Sequence, residues 1–184
     1  MTPLEEVLTG REERAAWQSL WLNKKREQPA AAYRVSREPS SYFVVQIALN
    51  IPGYPKRVPH DLQVIKNCRK YLLRFARAVP EEEHYLENGA GVCWQGAFDA
   101  DRYDAEHIKR VAIDTEKTTR AGRVLDIDVI TNEGPISRTW MDLPPRQCFV
   151  CGREAKICAK EGCHDQNELR EMVTRIIADA VFYR

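Results

Sequence analysis

The run Gly122-Arg123-Val124-Leu125-Asp126-Ile127-Asp128-Val129-Ile130-Thr131-Asn132-Glu133-Gly134 is where the hydrophobic period of this chain turns from helical to alternating. Leu125, Ile127 and Val129 occupy one parity and Asp126 and Asp128 the other, which predicts a strand with one apolar and one acidic face. Thr131–Gly134 supplies a turn, and Pro135–Met141 is expected to return as an antiparallel partner. Aspartate is depleted in strands, so two of them inside a strong strand point to a purpose beyond folding. Residues two apart on a strand share a face, with Cα atoms roughly 7 Å apart, so both carboxylates can converge on one hard cation. Mg²⁺ suits such a pair, because it takes oxygen ligands from one or two carboxylates and from substrate phosphates. Lys117, Arg120 and Arg123 precede the strand and Arg138 follows the turn, placing cations near the acids. Acids for a metal and bases for phosphate are what transfer from a triphosphate requires. The plainer alternative is a solvated strand face carrying two unrelated acids.

Outward from this strand the chain alternates elements. Tyr42–Leu49 is apolar and partly β-branched and reads as a buried strand. Three prolines between Ile51 and His60 then impose an irregular loop that ends near Lys56 and Arg57. That basic end either touches an anionic ligand or is simply solvated, and the second reading is preferred. Asp61–Val79 carries an apolar stripe, Ile65, Cys68, Leu72 and Val79, and predicts a helix stopped by Pro80. Glu87–Gly96 holds Gly89, Gly91 and Gly96, which reads as a hairpin turn in preference to a nucleotide-binding loop. Asp101–Lys117 predicts a second helix. A last one runs from Asn167 to about Phe182, capped by Asp165 with Glu168 in its first turn. At the start of the chain, Thr2–Glu5 and Thr9–Glu12 are two capping boxes, the second opening a helix to about Lys24 whose Trp17 and Trp21 are core candidates. The expected architecture is α+β: a mixed sheet flanked by helices, one domain over residues 1–184, with a cysteine-rich subregion at 146–164 and a C-terminal helix.

Composition narrows the function classes. The 184 residues carry 28 basic and 27 acidic side chains, a net charge of +1. Binding to nucleic acid through bulk charge is therefore not expected. The longest apolar stretch, Phe43–Leu49, is interrupted by Gln46 and falls far short of the ~20 residues a membrane helix needs. The N-terminal residues show no basic-then-apolar secretory pattern, so the cytoplasm is expected. In that compartment the six cysteines are reduced thiols or metal ligands. Cys148-x2-Cys151-x6-Cys158-x4-Cys163-His164 offers a four-ligand set for structural Zn²⁺: Cys148, Cys151 and Cys158 with either Cys163 or His164. A packed knot of reduced thiols under the final helix is the alternative, and spacing alone leans slightly towards it.

The ordered set Gly122–Val129, Ile136-Ser137-Arg138, Pro144-Pro145-Arg146-x-Cys148-x-x-Cys151, Ala155, Cys158-Ala159 and His164 resembles the apo-citrate lyase phosphoribosyl-dephospho-CoA transferase family, the holo-acyl-carrier-protein synthases of citrate lyase. Arg11-Glu12-Glu13-Arg14 and the Asn50-Ile51-Pro52-Gly53 loop with Lys56 extend the likeness over most of the chain. The resemblance implies a nucleotidyltransferase-like fold and an enzyme that moves phosphoribosyl-dephospho-CoA from triphosphoribosyl-dephospho-CoA to a serine of the acyl-carrier (gamma) subunit, with pyrophosphate leaving. Asp126 and Asp128 match the metal motif of the related synthase of malonate decarboxylase and are the catalytic and metal-binding expectation. Arg123 and Arg138 are expected to neutralise the triphosphate. Glu116 and Asp142 are candidates for the base by proximity in sequence alone. Two departures stand out. Thr119-Arg120-Ala121 precedes Gly122 where the family has His-Pro-Leu, and Lys160 replaces an arginine after Cys158-Ala159. Two other readings share some of these features: the malonate decarboxylase counterpart, and a zinc-stabilised accessory protein without catalytic activity.

Overall fold

The computed structural model describes residues 42–89, 91–148 and 150–182. The two N-terminal capping boxes and Trp17 and Trp21 lie outside the described residues. Strand β1 (Tyr42–Leu49) leads through the proline-rich loop into helix α1 (Asp61–Ala76), and then into a hairpin of β2 (Glu82–Asn88) and β3 (Gly91–Asp99). Helix α2 (Ala105–Thr118), strand β4 (Leu125–Thr131), the two-residue β5 (Gly134–Pro135) and a 3₁₀ turn (Thr139–Met141) follow. The chain ends in helices α3 (Ala155–Glu161) and α4 (Gln166–Phe182).

The strands form one sheet in the order β2-β3-β1-β4-β5. Every pairing in it is antiparallel, so the expected mixed sheet is corrected. The reason lies in the connections. Helix α1 joins β1 to β2 and helix α2 joins β3 to β4, each across one intervening strand. The parallel strands that the two helices link are therefore never neighbours. The α+β class stands as expected.

The odd-numbered residues of β1, Phe43, Val45, Ile47 and Leu49, face the helices, together with Trp94 and Phe98 of β3 and Ile127 and Val129 of β4. They pack against Ile65 and Leu72 of α1, Ile108 and Ala112 of α2 and Val173 and Ile177 of α4 in one apolar core. Burial of such side chains, at about 25 cal/mol per Å² of apolar surface, is the main stabilising term. Gly96 has a specific task here, since a Cβ on it would lie 2.6 Å from the ring of Trp94. The missing side chain makes room for the indole, which is fully buried and donates its Nε1–H to Glu83 (2.8 Å). The glycines around 89–96 thus belong to a hairpin, as the spacing indicated.

Boundaries shift at three places. Helix α2 begins at Ala105, four residues after the expected Asp101, because Asp104 is extended and its side chain caps Glu106 N–H. Helix α1 ends at Ala76, before Pro80 is reached, because Arg77 adopts φ 50° and Ala78 N–H closes back on Leu73 O (3.2 Å). The return from the 131–134 turn is antiparallel but pairs only at Ile130 and Thr131, much shorter than the expected Pro135–Met141. After Ile136, whose N–H donates to Val129 O (2.9 Å), the chain leaves the sheet. The capped start of α4 matches expectation: Asp165 Oδ1 accepts from Asn167 N–H (2.8 Å) and Glu168 N–H (3.1 Å). No helix among the described residues is long and apolar enough to cross a membrane.

Candidate functional site

Because β5 is so short, no strand among the described residues lies beside most of the outer edge of β4. Side chains satisfy its backbone groups instead. Ile127 N–H donates to Glu116 Oε1 (3.0 Å), Lys109 Nζ donates to Ile127 O (2.7 Å), and Arg146 Nη1 donates to Leu125 O (2.8 Å). An unpaired edge is an invitation to foreign strands, and a covering of charged side chains blocks it. Here the same covering assembles a site.

Glu116, 8% exposed, is its hub. Its Oε2 accepts from Arg138 Nη2 at 2.6 Å, and its Oε1 accepts from Arg146 as well as from Ile127. Arg146 Nη2 also stands 3.3 Å from Asp126 Oδ1, linking hub and carboxylate pair. Gly122 brings the end of α2 and the start of β4 together: a Cβ there would fall 2.0 Å from Glu116 O, so no other residue fits without displacing backbone. Arg123, next in sequence, donates from Nη2 to Cys148 O (3.1 Å). Lys117, Arg123, Arg138 and Arg146, with Glu116 and Pro144-Pro145, line a cleft of about 350 Å³. Sequence reasoning named Arg123 and Arg138 and placed Lys117 nearby. It missed Arg146 as a site residue, although the Pro144-Pro145-Arg146 motif was in view.

Asp126 and Asp128 share a face as expected, opposite Ala48 and Gln46 of β1 and on the side of the sheet away from the helices. They do not line the cleft, and Arg146 is the bridge to it. Asp126 is about half exposed, with 47% of its side chain accessible. Burial first, and the neighbouring Asp126 charge second, push the Asp128 carboxyl above its ordinary range, while Lys109 and Arg146 pull the other way. Two carboxylates on one rigid strand, one of them raised partly by the other, form a donor set whose repulsion a divalent cation would offset. A polar row continues from them across the sheet. Gln46, in register with Asp128, accepts at Oε1 from Gln95 Nε2 (2.7 Å), and Gln95 Oε1 lies 2.9 Å from His84 Nε2. Gln46 was visible as the interruption in an apolar run, but its partners on β3 and β2 were not.

Other candidates resolve differently. Arg57 pairs with Asp61 (2.6 Å) and Glu87 (3.1 Å), and its carbonyl oxygen accepts from Arg170, so the basic loop end is part of the scaffold. Asp142 is exposed beyond the 3₁₀ turn. Cys148, Cys151, Cys158 and His164 bring one ligand atom each to within 4.8 Å of one another, a group that could hold a metal ion. Cys163 is not in that group; its Sγ accepts from Arg153 Nη2 (2.6 Å).

The α+β scaffold thus carries an acidic pair on β4, next to a cation-lined cleft whose charge suits an anionic group. The narrower identity comes from likeness to known proteins. The family described as apo-citrate lyase phosphoribosyl-dephospho-CoA transferase matches residues 2–180, and the chain belongs to that family. A probable apo-citrate lyase phosphoribosyl-dephospho-CoA transferase of Streptococcus pyogenes serotype M18 (strain MGAS8232) is 27% identical over 190 residues, covering 95% of this chain and 84% of the relative. Enzymes of that name from Escherichia coli O9:H4 (strain HS) and Shigella boydii serotype 18 (strain CDC 3083-94 / BS512) are each 28% identical over 181 residues, 96% of this chain and 88% of theirs.

Proposed function

We propose that this protein attaches phosphoribosyl-dephospho-CoA to apo-citrate lyase, taking it from triphosphoribosyl-dephospho-CoA and delivering it to a serine of the acyl-carrier subunit. Family membership supports the transferase activity. The observation that carries the finer reading is the cleft lined by Lys117, Arg123, Arg138 and Arg146 and joined through Arg146 to Asp126. Four cations around one cleft suit a triphosphate. Arginine adds a planar fork that can hold two phosphate oxygens at once.

The serine oxygen forms a bond to the α-phosphorus as the bond to pyrophosphate breaks, and the serine proton is released to solvent. Arg123 and Lys117, both exposed, bind the departing phosphates, and Arg138 and Arg146 are held at fixed angles by Glu116. Such preorganised charge is worth more than mobile charge, because no reorganisation is needed as the transition state forms. Asp126 and Asp128 would hold Mg²⁺, which when bound supplies charge neutralisation at the reacting phosphate. Glu116 does not serve as the base for the serine proton, since both its oxygens are engaged by arginines and one also by the edge of β4.

The test is the intact mass of the purified citrate lyase acyl-carrier subunit before and after incubation with this protein, donor and Mg²⁺. The expected result is a gain of one phosphoribosyl-dephospho-CoA group and release of one pyrophosphate. Asp126→Asn and Asp128→Asn should each remove most of the transfer while the thermal midpoint stays near that of the parent, because neither side chain belongs to the apolar core. Normal turnover by either variant at limiting Mg²⁺ would refute the carboxylate assignment.

A further inference from the structure

The described residues between Pro144 and Asp165 form almost no apolar core of their own. Among them only Cys148 and Cys158 are buried, while Val150 and Ile157 are 50% and 48% exposed. Neither buried cysteine belongs to the main hydrophobic cluster. A packed knot of thiols, the reading that spacing slightly preferred, would need apolar neighbours, and the described residues of the segment supply none that is buried. Some twenty residues without a core are instead the usual setting for a covalent or metal staple.

The local backbone brings the ligands together. Cys148 N–H donates to Arg153 O (2.7 Å) and Ala155 N–H to Arg146 O (2.8 Å), closing a tight ribbon. Within it Gly152, at φ 72°, takes the left-handed conformation that glycine adopts at least cost. Helix α3 returns Cys158 to the turn, and Gly162 at φ 61° ends it so that His164 comes back as well. Cys158 Sγ lies 3.4 Å from Cys148 Sγ and 3.8 Å from Cys151 Sγ. Zinc–sulfur bonds of ~2.3 Å in a tetrahedron place sulfurs about 3.8 Å apart, which these separations approach. A disulfide would need ~2.05 Å and would leave the third thiol and the imidazole unused. His164 Nε2 is buried with no hydrogen-bond partner among the described residues.

We infer that Cys148, Cys151, Cys158 and His164 form a closed tetrahedral site for one structural Zn²⁺, with Cys163 outside it. Three thiolates and an imidazole are the soft donor set zinc selects, and four protein ligands leave no open position for chemistry. The site staples the segment whose Cys148 carbonyl anchors Arg123 and whose Arg146 spans Glu116, Leu125 and Asp126. Its binding energy is therefore folding energy for one wall of the cleft.

The experiment uses the full chain purified without chelator. Elemental analysis should find one zinc per chain, and a mercurial thiol reagent should release it in step with modification of three thiols. Cobalt exchanged into the protein should show the intense visible bands of tetrahedral Co²⁺ and thiolate-to-cobalt charge transfer. Cys163→Ser should keep zinc and spectrum, while Cys158→Ser should lose both. Since Cys158→Ser could unfold the segment, the cobalt spectrum of the parent decides the donor set independently. The inference is overturned by protein with no stoichiometric zinc whose thermal midpoint is the same with and without chelator. An intact mass two hydrogens light, or loss of zinc from Cys163→Ser, would overturn it equally. None of these readouts depends on transfer activity, so failure here and failure of the proposed reaction are separable.

Discussion

Replacing Glu116 by glutamine separates a scaffold role from a chemical one. The parent carboxylate, 8% exposed, accepts from Arg138, Arg146 and the Ile127 N–H. Glutamine keeps one oxygen for Ile127 but turns its amide donors towards a guanidinium. Two charge-assisted hydrogen bonds are weakened, each worth ~1.5–3 kcal/mol when one partner is removed. A fully buried broken pair costs about 3–5 kcal/mol. Here the side chains of Arg138 and Arg146 are 23% and 30% exposed, so they can rehydrate once released. A total of about 2–3 kcal/mol is expected, which lowers the thermal midpoint of a chain this size by roughly 5–10 °C. With the two arginines no longer held, the KM for the triphosphate donor should rise several-fold while that for the carrier stays near the parent value. Circular-dichroism melts and initial rates with each substrate varied in turn measure both effects. A Glu116→Gln protein that melts with the parent but has lost kcat would refute this reasoning and make Glu116 the general base. One that melts with the parent and turns over normally would show that the cleft does not depend on the hub.

Arg123→Ala should weaken donor binding at least several-fold more than carrier binding in calorimetric titrations. A selective loss of carrier affinity would move Arg123 to the protein interface. Gly122→Ala should cost about 3 kcal/mol, the upper part of the overpacking range, because the new Cβ meets backbone 2.0 Å away that cannot rotate aside; urea unfolding at the parent midpoint would contradict this. Burial raises the Glu83 carboxyl, but hydrogen bonds from Arg69 and Trp94 outweigh it and hold the group below its ordinary 4.5. The folded value being the lower one, its stabilisation is complete above about pH 4.5 and is lost as pH falls through the folded value. The stability gap between parent and Glu83→Gln, followed by urea unfolding from pH 7 to pH 3, should therefore be widest at neutral pH and close in acid. A gap that widens in acid would reverse the assignment.

Strand β1 and helices α1, α2 and α4 were legible in the chain because each answers to a local rule. An apolar run or a helical stripe specifies the element, and Asp165 marks the start of the last helix. The shared face of Asp126 and Asp128 followed in the same way, since parity along a strand is a property of the backbone. The family, too, could be recognised from the spacing of its motifs. What lay beyond reach depended on how far apart in sequence the partners stand. Arg146 meets Glu116 across 30 residues, and Gln46 meets Gln95 across 49. No local period encodes such pairs; they form because the order β2-β3-β1-β4-β5 brings the elements side by side. The same order made the sheet wholly antiparallel, as each helix carries the chain past a strand before it can pair. Which of Cys163 and His164 stands with the three thiols, open on spacing alone, depends on the backbone after the left-handed Gly162: Cys163 accepts from Arg153, and His164 brings a ring nitrogen to within 4.8 Å of the thiol sulfurs.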